Sequence, residues 1–243
     1  MLLTLRRLVR ALADVWYPPC CALCQCGLAE GEAHLCRACT GRLPMIRAPF
    51  CPVCSRPVMT RGGTSHVCGV CRVRPKGAIA RVCAAGLYDG GLKRLIHLYK
   101  YQRHQFLAAP LGDLLAAQAA SSGVMDGIDC LAAIPLHWTR ERWRGFNQAR
   151  ELALRVARVH GTLVLPPRGL RRVRRTSPQV SLDARGRREN IKGAFATRRP
   201  ELVLGRRVAL VDDVLTTGAT ADECARALMR AGAAEVRLLV LAR

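Results

Sequence analysis

Lysine is scarce in this chain of 243 residues: among its 39 basic residues only Lys76, Lys93, Lys100 and Lys192 are not arginine. Acids are scarce too, at 17, so the formal net charge is +22. Such an excess favours a polyanionic partner, either a nucleic acid or an anionic membrane surface. No apolar run approaches the roughly 18 residues of a membrane span, so no transmembrane segment is expected. The stretch MLLTLRRLVRALADVW breaks its apolar pattern with arginines and lacks the continuous core of a secretory signal, which points to a cytoplasmic protein. A GxxxxGK[ST] run is missing, which excludes a P-loop nucleotide site. Aromatics amount to only 5%, but 50% hydrophobic residues are ample for a core.

What is present begins with cysteine. Ten of the thirteen lie in residues 20–71, and eight of these make four C-x-x-C pairs: Cys21 with Cys24, Cys36 with Cys39, Cys51 with Cys54, and Cys68 with Cys71. With no export signal the thiols belong to a reducing compartment, where metal is favoured over disulfide. Each pair can grip a tetrahedral Zn²⁺ with two thiolates. Two pairs complete a site that leaves no position open for water, so two structural zinc ions are expected. Spacing permits either adjacent pairing, with 11 and 13 residues between pairs, or an interleaved cross-brace. Cys20, Cys26, His34 and His66 are close enough to replace a neighbouring ligand and are otherwise spectators.

The expected organisation is an amphipathic helix over 1–19, a cysteine-rich module over 20–75 and a larger domain over 76–243. In the first segment Leu2, Leu5, Val9, Leu12 and Trp16 recur at helical spacing, as a face packed on the protein itself or laid on a membrane surface. From about residue 81 strand and helix patterns alternate: a strand running into a turn over 81–90, strands over 131–136 and 233–243, and a helix over 147–159 with Phe146, Leu152, Val156 and Val159 on its apolar side. Alternation of this kind predicts an α/β domain with a mostly parallel sheet, its ligand held at the carboxyl ends of the strands.

The stretch VALVDDVLTTGAT, residues 208–220, carries the sharpest chemical signal. Val208 to Val211 reads as a short buried strand, the acids Asp212 and Asp213 follow, and the small run Thr216, Thr217, Gly218, Ala219 and Thr220 opens a helix. Free N–H groups and the positive end of the helix dipole suit a phosphate, and Gly218 lets the backbone approach it. The two acids suit hydroxyl groups or a hydrated Mg²⁺. A ligand with a phosphate at one end and a diol beside it, such as a ribose 5-phosphate, meets both demands.

Residues 137–200 hold 17 Arg and Lys against 4 Asp and Glu, which concentrates more than half of the net charge in about a quarter of the chain. Arg140, Arg142 and Arg144 surround Trp143 where the chain enters the motif RGFNQ, which begins at Arg144, and can bind phosphate groups by charge-assisted bonds. Residues 168–195 offer few core positions and read as a long mobile loop. Their arginines, with Trp138, Trp143 and Phe146 nearby, suit equally a single nucleic-acid strand. Lys100 ends a helical pattern, as a phosphate contact or as a solvated charge.

The 208–220 stretch resembles the phosphoribosyl pyrophosphate (PRPP) signature of type I phosphoribosyltransferases. Together with the paired cysteines, RGFNQ and the spacing of Thr176, Gln179, Leu182, Arg187, Asn190 and Phe195, nearly the whole chain resembles the ComF family of competence-associated, phosphoribosyltransferase-like proteins. The resemblance implies a type I phosphoribosyltransferase-like sheet flanked by helices and preceded by a double zinc-binding module. It implies PRPP as ligand, with Asp212 and Asp213 on the ribose hydroxyls and Val214, Leu215, Thr216, Thr217, Gly218, Ala219 and Thr220 around the 5-phosphate. Arg140, Arg142 and Arg144 would form a pyrophosphate loop, Mg²⁺ would accompany the pyrophosphate, and Thr176, Gln179, Arg187 and Asn190 would belong to a hood that closes over the site. Two activities follow from it: phosphoribosyl transfer to an unknown acceptor, or handling of single-stranded DNA during natural transformation with the PRPP site kept as a sensor or a phosphate-binding scaffold. The second implies competence-machinery partners.

Overall fold

The structure is a computed structural model that describes residues 19–60, 62–73, 77–101, 104–136, 141–143, 145–167, 169–174 and 184–243. The helix expected over 1–19 lies outside them but for its last residue. Two short helices, α1 (Arg37–Gly41) and α2 (Gly69–Val73), belong to the cysteine-rich part. Then come β1 (Arg81–Gly86), α3 (Gly90–Tyr101), α4 (Ala108–Ser122), β2 (Cys130–Ala133), α5 (Gln148–His160) and β3 (Leu163–Val164). They are followed by β4 (Arg171–Arg172), α6 (Ala184–Ile191), β5 (Phe195–Ala196), β6 (Arg207–Val214), α7 (Ala219–Arg230) and β7 (Glu235–Ala242).

Five strands form one parallel sheet in the order β1-β7-β6-β2-β3, with Ala133 of β2 beside Val211 and Val211 beside Leu239 of β7. Central strands of such a sheet are covered on both faces and therefore read as unbroken apolar runs. In β6 alternate side chains divide accordingly. Ala209 and Val211 join Leu92, Leu95, Leu111 and Leu152 from α3, α4 and α5. Val208 and Leu210 join Cys224 and Leu228 of α7 with Ile191 and Phe195 from the preceding segment.

Three expectations shift. The strand read as Val208–Val211 continues to Val214, because Asp212 and Val214 still pair with Val240 and Ala242. The strand expected over 131–136 ends at Ala133. Val159 stands half exposed, one residue before α5 closes, while Leu152 and Val156 are fully buried.

The described part of 168–195 is not a bare loop: β4 and β5 pair antiparallel, and α6 leads into β5. Leu170, Ile191, Ala194 and Phe195 are buried. Few apolar residues suffice there because they sit at the two ends of the charged run, where the chain meets the core.

The cysteine-rich part lies along the outer side of β1. Ile46 donates its N–H to the Ala85 carbonyl at 2.9 Å and Leu87 donates to Pro44 at 2.8 Å, while Val82 donates to Val53 at 2.8 Å. The buried Ser55 hydroxyl donates to the Val82 carbonyl at 2.7 Å and accepts from the Ala84 N–H at 3.2 Å. Among the described residues no helix is long and apolar enough to cross a membrane.

Candidate functional site

A cavity of about 390 Å³ opens at the carboxyl end of the sheet, walled by residues 212–221, by Ile134 to Leu136 after β2, and by Tyr88, Lys100, Tyr101 and Arg172. Sequence reading placed Asp212 through Thr220 at one site, and all nine line it. The turn after β6 needs Gly218: its φ is +76°, and a Cβ there would meet Leu215 Cδ1 at 3.3 Å. Gly218 is also the residue before α7 and brings no capping side chain. Within the protein the Ala219 N–H finds only a long contact to Thr217 Oγ1, at 3.5 Å. Backbone donors and hydroxyls therefore gather at the positive end of a 12-residue helix, a setting for an anion.

The two acids point to opposite faces of β6, as neighbours on a strand must. Asp213 falls on the face of α3 and there meets Lys100, whose Nζ is 2.8 Å from Oδ1; the side chains are 16% and 12% exposed. Burial alone would lower the lysine's pKa, but the charge of Asp213, its hydrogen bond and the more distant Asp212 outweigh it and raise the pKa. Asp212 falls on the face of α7, and its Oδ1 accepts the Asp213 N–H at 2.8 Å. Lys100 is thus neither a solvated charge nor, in this arrangement, a lone phosphate contact.

Phe146, Asn147 and Gln148 of the RGFNQ motif pack beside this pair. Arg140 and Arg144 lie outside the described residues, and Arg142 is exposed. Phe146 packs on the Tyr99 ring with centroids 5.4 Å apart, and the buried Tyr99 hydroxyl donates to the Gln148 carbonyl at 3.0 Å. Asn147 caps α5, accepting from the Arg150 N–H at 3.3 Å, and donates to the Ile134 carbonyl at 3.2 Å. Trp143 is 59% exposed, its ring 6.4 Å from that of Tyr101 on the cavity rim.

Of the hood residues, Thr176 and Gln179 lie outside the described residues, and Arg187 and Asn190 are on α6. What the structure adds is Arg172, on the cavity wall with its guanidinium 5.7 Å from the Phe195 ring centre. Arg174 fastens the end of α6 by donating to the Asn190 and Lys192 carbonyls at 2.8 and 2.9 Å. Glu223 of α7, almost buried, accepts from the Gly193 N–H at 3.1 Å and from Arg230 at 3.2 Å.

The cysteines assemble by adjacent pairing. Cys21, Cys24, Cys36 and Cys39 bring their sulfurs within 4.8 Å of one another, as do Cys51, Cys54, Cys68 and Cys71, and the cross-brace is ruled out. Zn–S bonds of 2.3 Å in a tetrahedron put the sulfurs about 3.8 Å apart. Cys24 to Cys36 measures 3.7 Å and Cys54 to Cys68 measures 3.8 Å, so both sets fit zinc. Backbone N–H groups favour the thiolate of Cys51: burial would raise its pKa, yet donors from Cys68, Cys54 and Val53 bring it down to about 7. Cys20 is exposed and outside both sets, while Cys26 lies 3.0 Å from Cys24. No acidic cluster of three or more groups able to hold a cation occurs among the described residues.

The contributions of Lys100, Arg172, Tyr88 and Tyr101 were missed or undecided in the sequence. The one signal that could have found Lys100 is its place at the end of a helix whose Leu92, Leu95, Ile96 and Tyr99 face the core, which brings position 100 to the same end of the sheet as Asp213.

Two family models match the chain: a double zinc ribbon domain over residues 12–85 and a phosphoribosyl transferase domain over residues 144–243. The DNA utilization protein YhgH of Salmonella typhi is 35% identical over 93% of this chain and 97% of its own length. Competence protein F of Haemophilus influenzae is 30% identical over 92% of this chain and 96% of its own. Competence protein ComFC of Bacillus subtilis is 27% identical over 85% and 82%.

Proposed function

Since this chain belongs to the ComF family of competence proteins, with their double zinc ribbon and phosphoribosyltransferase domain, we propose that it binds PRPP with Mg²⁺ and transfers the phosphoribosyl group to an acceptor nucleophile. One observation carries the reading: Asp212 and Asp213 share a cavity with the uncapped amino end of α7. Hydroxyls of a ribose suit the acids, and its 5-phosphate suits Thr216 to Thr220. The bond from ribose C1 to pyrophosphate breaks with its electrons leaving on the pyrophosphate, while the acceptor's lone pair forms the new bond to C1. The protein's share is positioning and charge stabilisation. Arg142 and its neighbours would steady the departing pyrophosphate, and the β4–α6–β5 segment would cover the ribose.

Calorimetric titration of PRPP with Mg²⁺ should give saturable binding that is lost in Asp212→Ala and Asp213→Ala. Release of pyrophosphate should then follow addition of one among a panel of bases and single-stranded oligonucleotides. Binding without release for every acceptor would end the catalytic half of the proposal and keep the ligand.

A second reading has its own support in the exposed Trp143 beside Tyr101 and in the net charge of +22. Here the protein handles single-stranded DNA, stacking bases on the rings, and the PRPP site acts as a sensor. Salt-dependent DNA affinity that drops in Trp143→Ala and Arg142→Ala, and is indifferent to Asp212→Ala, would favour this reading over transfer.

A further inference from the structure

The acid pair brings two negative charges to a cavity meant, on the reading above, for a ligand with several of its own. Divalent cations commonly relieve such a conflict. This site has a permanent cation as well, because Lys100 Nζ stands 2.8 Å from Asp213 Oδ1 on the cavity wall. We propose that Lys100 is the built-in counter-ion of the acid pair, lowering its charge from two to one and thereby setting how much Mg²⁺ the site requires before it accepts PRPP. The inference rests on the PRPP reading.

Three features make the lysine part of the site. Both partners are mostly buried, so solvent screening of their attraction is reduced. The backbone beside Lys100 is anchored by its neighbour Tyr99, which is wholly buried, packed on Phe146 and bonded to the Gln148 carbonyl. The pairing also occupies one of Asp213's two oxygens and leaves the other as an acceptor for a hydroxyl. A direct Mg²⁺ bond to Asp213 would have to compete with the ammonium, so the metal is expected on the pyrophosphate. Lys100 thus acts as a positioning residue, through Asp213.

The test is PRPP binding by calorimetry across a Mg²⁺ series in metal-depleted buffer, for the wild type, Lys100→Met, Lys100→Gln and Lys100→Arg, with zinc content and thermal unfolding measured in parallel. Losing one nearby positive charge should raise the Mg²⁺ concentration for half-maximal PRPP binding about tenfold in the two neutral variants. Saturating Mg²⁺ should restore most of the affinity, and Lys100→Arg should follow the wild-type curve. A merely structural lysine would weaken binding equally at all Mg²⁺ concentrations and melt early, which would overturn the proposal. An unchanged Mg²⁺ curve in a folded neutral variant would overturn it too, with the PRPP site still standing. Should the wild type itself bind no PRPP, the functional reading falls and takes this role with it.

Discussion

Asn147 donates its side-chain amide to the Ile134 carbonyl at 3.2 Å and accepts the Arg150 N–H at 3.3 Å, so one residue starts α5 and fixes the end of β2. Removing it in Asn147→Ala takes away a helix cap and leaves the Ile134 carbonyl without this donor. Caps contribute about 1 kcal/mol, and a part-buried partner adds about as much again. A stability loss of about 2 kcal/mol in urea unfolding is expected, with weaker pyrophosphate binding because Ile134 to Leu136 line the cavity.

Gly218 meets the left-handed backbone of the turn before α7 at no steric cost. Gly218→Ala forces a Cβ into a left-handed backbone and against Leu215, at a cost of about 1 kcal/mol or more. Thermal unfolding should register that loss, and affinity for ribose 5-phosphate should fall further than stability alone would suggest.

Glu223 connects α7 to the segment that ends in β5. In Glu223→Ala the Gly193 N–H loses its acceptor, and because Gly193 itself is exposed and can turn to water, the loss is that of one ordinary hydrogen bond, about 1 kcal/mol. Faster amide exchange over 190–196, measured by mass spectrometry, should accompany a weaker hold on PRPP.

Zinc content separates ligands from spectators. Two ions per chain are expected for the wild type and for Cys20→Ser and Cys26→Ser, and one for Cys39→Ser or Cys71→Ser. Loss of an ion in Cys26→Ser would show that this thiol, 3.0 Å from Cys24, is itself a ligand.

The Glu235 carboxyl is held below the usual carboxylate range, chiefly by the hydrogen bond from Arg237 at 2.7 Å. A lowered folded pKa stabilises above the unfolded value of about 4.3 and is lost as pH falls through the lower folded one. Glu235→Gln should therefore destabilise the protein at pH 7 and differ progressively less from the wild type below about pH 4.3.

Local pattern made much of this legible. Apolar runs covered on both faces marked β6 and β7, and the C-x-x-C pairs carried their metal with them, since two cysteines one knuckle apart must share a centre. The pairing of knuckles was not legible, because both arrangements satisfy the same spacing. Lys100 escaped for a similar reason: which acid a lysine meets depends on α3 crossing to the carboxyl end of the sheet, and no window of sequence contains both residues. The 168–195 segment misled through composition, because its buried apolar residues, Leu170, Ile191, Ala194 and Phe195, are few and stand at the two ends of a run of charges.

The hydrogen bonds that the cysteine-rich part makes along β1 have a consequence for the metal-free protein. A terminal strand with unpaired N–H and C=O groups is a template on which other chains can add. Here Pro44, Ile46, Val53 and Ser55 occupy those groups, held in place by thiolates on either side. Zinc would thus guard solubility as well as local shape: stripped of it, the chain would present β1 to its own copies, and self-association would precede any loss of the parallel core.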